Sequence, residues 1–573
     1  MFDDDEVVTY NAERADEFIA YAMQADLRQK LIEFAGRHRP GGGVVRRLHR
    51  AVRGSYNINW RLEFEDGGSA MFHVPLPGSV AFPEEKIRAE VATMRLVRAR
   101  TSIPVPEVYH WGMAADNPAG TGPFIIMEYI EHESCLTDMI RDMTDDTDSH
   151  GLARGMPEGR LLEAYRHMAN IVLQLSTIEG DAIGYPAMPD EDGSSASPSS
   201  SPPSPTPWRA TTRPISHNMN ELVASGGLPP GLLPAKGRTF KAEKDWMSAL
   251  ADMHLAHLAF QRNDAVLGPP DARDKYVARQ LFRRLAAGGR LTGDKDTSGV
   301  GGAGRDGKEE ARREGAREGE EEQEQEQEQE QEQEQEQEQE QERFKLWCDD
   351  MRPASVLLDG DEKVVGVIDW EMSYFAPASY TYDPPWWLCL AKPEYWRPGL
   401  GDFFEGFERY LGVFLRAMEM EEDALRERAR TTGCSALDRL CVGAAELRLD
   451  DTGMPARRSS PPLSVRMRRS WEGGSFFVNY AARKAWAFDP IYWKYIDPKY
   501  FGENVEGGYE GRLKLLSGKE KEQMELFVER KTEESKEVRL VEWDPEDARA
   551  LLQAYLDGNL GQRAIPEPRE IRW

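Results

Sequence analysis

The stretch WCDDMRPASVLLDGDEKVVGVIDW, from Trp347 to Trp370, places two adjacent aspartates ahead of two apolar runs. The runs SVLLD and VVGVIDW are separated by the turn residues GDEK, a pattern that predicts a β-hairpin. Asp349 and Asp350 precede the first predicted strand and Asp369 closes the second, so antiparallel pairing would bring these carboxylates together. Carboxylates gathered at one end of a hairpin can orient a hydroxyl nucleophile and hold Mg²⁺, and phosphoryl transfer needs both.

The composition is that of a globular protein with long polar inserts. The chain has 573 residues, of which 40% are hydrophobic, and a formal net charge of -28 at pH 7. About -13 of that charge comes from residues 308–342, so the remainder is only moderately acidic. Because phosphate binding needs a basic face, nucleic acid is not expected as a main partner.

The cysteines and the apolar runs indicate an intracellular, cytoplasmic protein. The five cysteines are an odd number and form no CxxC pair, which argues against a disulfide framework or a zinc site. The amino terminus, MFDDDEVV, is acidic and lacks the apolar region of a secretion signal. No apolar run approaches the length that spans a bilayer, so no membrane partner is expected.

Two low-complexity segments interrupt the globular pattern. Residues 191–207 are rich in Ser and Pro, and residues 288–342 pass from a Gly-rich stretch into strict Gln-Glu alternation. Both have too little apolar content for a core, which predicts disordered inserts or, for the second, a solvated helix or coiled coil. The Gln-Glu repeat is either an acidic tail that contacts a protein partner or a neutral expansion in a tolerated loop, and the neutral interpretation is favoured.

Regular structure is predicted on both sides of the inserts. Residues 55–64 and 69–76 have the β-branched and aromatic content of two strands joined by the turn EDGG. Residues 83–100 have apolar positions at helical spacing behind a proline and an acidic first turn, and residues 123–130 are a strand-length apolar run. The later amphipathic segments predict helices, at residues 160–178, 246–261, 402–419 and after Arg469.

Together these features resemble the aminoglycoside phosphotransferase and choline kinase-like family, relatives of the protein kinases, and most closely its large fungal-type branch. In that family a His-x-Asp motif is followed five residues later by Asn, then by an apolar strand and an Ile-Asp-Trp or Ile-Asp-Phe motif. Here Asp350 takes the place of the first aspartate, Ser355 that of the asparagine and Asp369 that of the second aspartate. Cys348 replaces the motif's histidine and is expected only to pack.

The resemblance implies an α+β, two-lobed protein-kinase-like fold, with a small β-sheet N-lobe and a larger, mainly helical C-lobe. Residues 1–130 would form the N-lobe with an N-terminal helical extension. Residues 131–573 would form the C-lobe, interrupted by the inserts at 191–207 and 288–342.

The resemblance also implies ATP and Mg²⁺ as cofactors and assigns the site residues. Asp350 would orient or deprotonate the acceptor hydroxyl, and Asp369 and Ser355 would lie at the metal that bridges the ATP phosphates. Glu90 matches the glutamate that pairs with a phosphate-binding Lys or Arg, and this chain has His73 at the position of that cation. The other implied positions are the nucleotide-covering turn at Gly54 and Ser55, the adenine-contacting hinge at Met127, Glu128 and Tyr129, and a bracing aspartate, Asp383.

The expected function is ATP- and Mg²⁺-dependent phosphoryl transfer to a hydroxyl of a small-molecule acceptor. The alternative is a pseudokinase that serves as a binding or scaffolding module, and action on protein hydroxyls is also open. His73 and Ser355 favour the pseudokinase, because neutral imidazole is a weaker phosphate partner and a serine hydroxyl reaches less far toward a metal than an amide oxygen. The aromatic residues from Ser475 to Phe501 could line an acceptor pocket, although a core of large side chains is the favoured interpretation.

Overall fold

A computed structural model describes residues 3–141, 152, 155–187, 208–292, 344–396, 399–432, 461–562 and 566–571. The described chain mixes helix and sheet, in agreement with the predicted α+β class. The low-complexity inserts lie outside these residues, apart from positions 288–292, where Leu291 is buried in the core. In these ranges, each helix is too short or too polar to cross a membrane.

An antiparallel sheet forms the first part of the chain. Its strands are β1 (Val45–Leu48), β2 (Val52–Arg53), β3 (Asn57–Phe64), β4 (Ser69–Pro75), β5 (Val108–Gly112) and β6 (Phe124–Glu128). Neighbouring strands lie in the order β1-β3-β4-β6-β5, and β2 also pairs with β3. The strands predicted at residues 55–64 and 69–76 are β3 and β4, which pair with Asn59 opposite His73.

Helices cover both faces of this sheet. Helix α3 occupies the predicted range Pro83–Arg100 and packs on Ile125. Helices α1 (Asp5–Ala22) and α2 (Ala25–His38) precede the sheet, and the apolar face of α2 packs on Phe124 and Ile126. Because successive side chains of a strand point to opposite faces, α2 and α3 lie on opposite sides of β6.

Helix α1 also contacts the later, helical part of the chain. The carboxylate of its N-cap, Asp4, accepts hydrogen bonds from Asn263 N and Asn263 Nδ2, both at 2.9 Å, and Asp4 is 1% exposed. Three turns further on, Asp16 pairs with Arg53 of β2 at 2.9 Å. Helix α1 therefore spans from the helical part of the chain to the rim of the sheet.

The rest of the described chain is mainly helical, around one large core. Tyr492 is completely buried and Trp486 is 9% exposed, whereas Trp493 and Tyr495 are half-buried and pack against the same core. The aromatic segment after Ser475 therefore contributes mainly to the core, which is the interpretation favoured above. The helices are α4 (Glu158–Leu175), α5 (His217–Ala224), α6 (Glu243–Phe260) and α7 (Pro269–Ala287), followed by Ala378–Thr381, Leu400–Thr432, Leu463–Gly473, Ser475–Arg483, Phe488–Ile491, Asp497–Phe501, Gly518–Glu534 and Pro545–Asp557.

Two short β-ladders position the segment from Trp347 to Trp370. The predicted hairpin consists of β11 (Val356–Leu358) and β12 (Val364–Val367), and β7 (Ser134–Cys135) pairs with the other edge of β11. Strand β10 (Phe344–Cys348) pairs with β13 (Ser373–Pro377). Because one ladder ends where the other begins, residues 349–355 and 368–372 are fixed side by side. Two further pairs are β8 (Tyr185–Ala187) with β9 (Arg209–Thr212) and β14 (Val541–Glu542) with β15 (Arg569–Glu570).

Candidate functional site

Ser355 and Asp369 lie together at the end of the β11–β12 hairpin. The backbone N of Ile368 donates to Ser355 O at 2.9 Å, which extends the pairing of the two strands toward the predicted site. Ser355 is fully buried, and its Oγ donates to Asp369 Oδ2 at 3.3 Å. Asp369 has a φ of 59°, in the left-handed region, which aspartate adopts more readily than most residues other than glycine. The chain thus turns sharply after β12 at the residue predicted to bind metal.

Negative charge accumulates around Asp369. Burial and the carboxylates of Glu371, Asp350 and Glu90 raise the pKa of Asp369 to about 7. Arg352 partly offsets this charge, and its Nε lies 3.9 Å from Asp350 Oδ2. Such a surplus of carboxylate charge around oxygen ligands favours the binding of a hard divalent cation.

Lys86, which was not predicted as a site residue, supplies a buried cation at this site. Lys86 Nζ lies 2.9 Å from Glu90 Oε2 and 2.5 Å from Glu371 Oε2, and it donates to Asn57 Oδ1 at 2.8 Å. Burial alone would lower the pKa of Lys86, but the carboxylates of Glu371 and Glu90 outweigh it and raise that pKa. Lys86 therefore ties α3, the start of β3 and the segment after β12 to one ammonium group.

His73 lies beside Glu90, at the predicted position. Its Nε2 is 3.3 Å from Glu90 Oε2, and its Nδ1 is 2.8 Å from Asn59 Oδ1. The ammonium that pairs with Glu90 comes from the same helix rather than from β4, where the resemblance placed it. Lys86 is the one lysine between residues 31 and 235 and stands four residues before Glu90, and this spacing was the available signal.

One cluster of buried side chains has the composition of a metal site, but a lysine ammonium already lies among its members. These are His73, Glu90 and Glu371. Their potential ligand atoms lie within 4.8 Å of one another, and all three residues are buried. Lys86 Nζ contacts the same three side chains, at 3.4 Å from His73 Nε2 and at the shorter distances given above for the carboxylates. A divalent cation in that position would be repelled by the ammonium, so the carboxylate end near Asp369 is the better metal candidate.

The two predicted nucleotide-contacting segments flank this charged group. Gly54 and Ser55 are exposed in the turn between β2 and β3, and Gly54 N donates to Asn57 O at 2.8 Å. Asn57 also donates from Nδ2 to Glu371 Oε2 at 2.6 Å. The turn is thus attached at its base to the residues around Lys86.

The predicted hinge lies at the end of β6. Met127 and Glu128 are the last residues of that strand and Tyr129 follows it, and all three are half-buried. A Cβ at Gly366 of β12 would lie 2.5 Å from Ile130 Cδ1, so the hairpin approaches this segment closely and a larger residue would displace the end of the Ile130 side chain.

The tandem aspartates differ in their surroundings. Asp349 is 4% exposed and accepts from Trp347 Nε1 at 2.7 Å and from the backbone N of His217 at 3.0 Å. Arg483 Nη1 lies 3.8 Å from Asp349 Oδ1. Asp349 is therefore a structural residue that joins β10 to α5. Among the described residues, Asp350 has no such set of donors, and it stays the candidate reactive carboxylate.

Asp383 and Cys348 lie next to the loop at residues 349–355, which carries the tandem aspartates. Asp383 accepts from Ser470 Oγ at 2.6 Å, and its Oδ2 lies 3.3 Å from Arg483 Nη2, the guanidinium that also approaches Asp349. Cys348 Sγ lies 3.6 Å from the backbone O of Glu371, so the thiol packs against the metal-side segment. Both residues have structural positions, in line with the sequence analysis.

Comparison with known proteins finds short sequence matches. No protein-family model matches the chain. Altered inheritance of mitochondria protein 9, mitochondrial, from Yarrowia lipolytica is 35% identical over 96 residues, which are 16% of this chain and 16% of that protein. A subtelomeric hrmA-associated cluster protein from Aspergillus fumigatus is 33% identical over 100 residues, 17% of this chain and 19% of that protein. The chain spans less than a fifth of the length of these curated relatives.

Solved structures match over more of the chain but with low similarity. A Ralstonia eutropha protein thought to be an aminoglycoside phosphotransferase is 11% identical, with a TM-score of 0.32 over 81% of this chain and 98% of its own. A macrolide 2'-phosphotransferase from Brachybacterium faecium is 11% identical, with a TM-score of 0.30 over 74% of this chain and 100% of its own. TM-scores this low carry no functional argument, which rests instead on the residue placement described above.

Proposed function

We propose that the protein transfers the γ-phosphoryl group of ATP, with Mg²⁺, to a hydroxyl of a small-molecule acceptor. The observation that carries this proposal is the meeting of Asp350, Ser355 and Asp369 at one end of the hairpin, next to the buried pair of Lys86 and Glu90. It is supported by an antiparallel sheet, with α2 and α3 packed on its opposite faces, that precedes a mainly helical region, which is the arrangement expected of a two-lobed kinase-like chain divided near residue 130.

Each predicted residue would have a defined task. The turn at Gly54 and Ser55 would cover the ATP phosphates, and the backbone from Met127 to Tyr129 would contact adenine. Asp350 would orient the acceptor hydroxyl and take its proton as the acceptor oxygen bonds to the γ-phosphorus and the bond to the ADP oxygen breaks. Positioning and charge neutralisation supply most of the rate in this class of reaction.

The residues around Asp369 fit a magnesium ion. Asp369 and Ser355 offer oxygen ligands, and the carboxylates that raise the pKa of Asp369 give the site the charge surplus that a divalent cation would relieve. Mg²⁺ bound there would neutralise charge on the ATP phosphates. Lys86 would hold Glu371 and Glu90 in place behind it.

Binding of Mg-ATP tests the proposal directly. Purified protein should show a rise in Tm at saturating ATP that depends on Mg²⁺, because a ligand that binds only the native state stabilises it. Asp369→Ala should lose the Mg²⁺-dependent part of the rise. Asp361→Ala, at an exposed turn of the same hairpin where the carboxylate pairs with Lys363 at 3.3 Å, is the matched control and should keep it. If Mg-ATP does not shift the Tm of the wild-type protein, the kinase proposal is abandoned.

A pseudokinase is the second candidate, and one observation favours it. The hydrogens of the Lys86 ammonium are directed to three acceptors, Glu90, Glu371 and Asn57, so none is left for an ATP phosphate in this arrangement. The pseudokinase is favoured if the protein binds Mg-ATP but does not turn it over in the presence of a metabolite pool. In that case the rate of ATP consumption in the wild type would equal the background rate in Asp350→Asn.

A further inference from the structure

A second buried group of charged residues lies next to Asp349, outside the roles assigned so far. Its centre is His217, which is 1% exposed and whose backbone N–H donates to Asp349. His217 Nε2 lies 2.8 Å from Tyr56 Oη and 3.4 Å from Lys392 Nζ. Tyr56 belongs to the predicted nucleotide-covering turn and Asp349 adjoins Asp350, so the group lies between that turn and the candidate reactive carboxylate.

The other ring nitrogen of His217 has two incompatible neighbours. His217 Nδ1 is 2.9 Å from Glu221 Oε2 and 3.1 Å from Lys484 Nζ. A ring nitrogen cannot donate to a carboxylate and accept from an ammonium at the same time. The ring proton can be assigned to Nδ1, which then donates to Glu221 while Nε2 accepts from the Tyr56 hydroxyl. In that tautomer, Lys484 has no acceptor for its ammonium among the described residues.

The buried charge of Lys484 is incompletely compensated. Lys484 is 3% exposed, and burial and the nearby charge of Lys392 lower its pKa even though Glu221, Asp349 and Glu394 act in the other direction. Of these carboxylates, Glu221 pairs with His217 and lies 3.7 Å from Lys392 Nζ, Asp349 accepts from the donors described above, and Glu394 accepts from Tyr480 Oη at 2.7 Å. A buried ammonium in such a setting is costly unless an anion joins it.

We propose that Lys392, Lys484 and His217 form a subsite for an anionic group, a carboxylate or a phosphate, carried by the acceptor in addition to its hydroxyl. This inference rests on the proposed phosphotransferase function and narrows its acceptor class. The side chain of Lys392 is 19% exposed and provides the outer contact, while Lys484 provides the inner one. Tyr56 closes the subsite from the side of the nucleotide turn.

The first test measures anion binding without turnover. The Tm of the full chain is measured with inorganic phosphate and, separately, with glycerate, which distinguishes a phosphate from a carboxylate ligand. At least one of these anions should raise the Tm of the wild-type protein, and Lys392→Met and Lys484→Met should lose that rise. Lys363→Met removes an exposed lysine from the hairpin turn and should keep the rise.

The Lys484 variant is expected to fold. Replacing a buried ammonium that lacks an acceptor by an apolar side chain of similar length is often neutral or stabilising, so the Tm of unliganded Lys484→Met should equal or exceed that of the wild type. A rise with anion that is equal in all four proteins overturns the subsite, and so does the lack of any rise with both anions.

The second test separates the subsite from the proposed function. If Mg-ATP binds and is consumed, glycerate or glycerol 3-phosphate should exceed glycerol as acceptor by at least about tenfold in kcat/KM, and Lys392→Met should reduce that ratio. Turnover with no preference for the charged acceptors overturns the inference and leaves the phosphotransferase function standing. Anion binding without Mg-ATP binding overturns the function and, with it, the acceptor role of the subsite.

Discussion

Lys86 Nζ and Glu90 Oε2 lie 2.9 Å apart, one turn from each other on α3, and both side chains are almost fully buried. An exposed pair at this helical spacing contributes about 0.2–0.5 kcal/mol. Here the same ammonium also neutralises Glu371, so its removal leaves two buried carboxylates without their cation.

Lys86→Met should therefore lower the free energy of unfolding by about 3–5 kcal/mol, the cost of breaking a buried ion pair from one side. Denaturant unfolding measures this change. Lys30→Met, on the exposed side of α2, makes the same substitution and should change stability by less than about 0.5 kcal/mol. A loss below about 1 kcal/mol in Lys86→Met would mean that the carboxylates do not depend on this lysine.

His73→Lys tests which position holds the cation. The variant would bring a second ammonium beside Lys86, whose Nζ already lies 3.4 Å from His73 Nε2, so like charges would be buried together and stability should fall. The double variant His73→Lys, Lys86→Met returns a single ammonium to Glu90 and should be more stable than either single variant. Double-mutant analysis of the unfolding free energies measures this coupling, and strictly additive effects would contradict it.

Ser355→Asn should increase any Mg-ATP-dependent turnover, because an amide oxygen reaches further toward a metal at Asp369 than a hydroxyl does. Ser355 is fully buried, so the larger side chain should also lower stability, by about 1–3 kcal/mol. Kinetic assays and thermal unfolding measure the two effects separately. Ser355→Ala is the control that removes the hydroxyl without adding a ligand, and unchanged or reduced activity in Ser355→Asn would count against a metal at this position.

The tandem aspartates should respond to the same substitution in different ways. Asp349→Asn should mainly reduce stability, because Asp349 accepts from Trp347 and the backbone of His217 and lies near Arg483. Asp350→Asn should leave the Tm and Mg-ATP binding close to those of the wild type and abolish phosphoryl transfer. Thermal unfolding, ligand-induced Tm shifts and an ATP turnover assay distinguish the two variants, and equal effects would show that the assigned roles are wrong.

Asp383 should make stability depend on pH between about 4 and 6. Burial outweighs Arg483, Ser470 and Asn479 and raises the pKa of Asp383 from 3.8 to about 6. In that window the folded state binds more protons than the unfolded state, so the free energy of unfolding falls as pH rises, by up to about 3 kcal/mol from this group. Unfolding measured at pH 4.5 and 7.0 gives the pH dependence of the free energy of unfolding, which should be smaller in Asp383→Asn than in the wild type.

The sequence predicted the parts of the site that depend on periodicity and spacing. The hairpin, α3 and the strands around His73 have strong local patterns, and the structure has them within a few residues of the expected ranges. The five-residue interval from Asp350 to Ser355 and the later Asp369 were visible because the chain itself fixes those distances. The pairing of β10 with β13 was not predicted, because it joins segments whose contact depends on the tertiary fold.

Lys86 and His217 were missed for a different reason. Each acquires its surroundings from segments far apart in the chain, as when Lys86 meets Glu371 or His217 meets Lys484. Strand β5 was missed because it is half-buried without a clean alternation of apolar and polar residues. Such contacts depend on the tertiary fold, so the local propensities of the sequence do not predict them.

Strand β10 begins at Phe344, two residues after the last glutamate of the Gln-Glu repeat, and it is held along both edges. All five of its residues are in register with β13, and on its other side Leu346 N donates to Ile178 O at 2.9 Å while Phe344 O accepts from Gly180 N at 3.1 Å. A change in the number of repeat units should therefore leave the positions of Phe344 and Asp350 unchanged. The length of the repeat is in this way uncoupled from the geometry of the loop that carries Asp350.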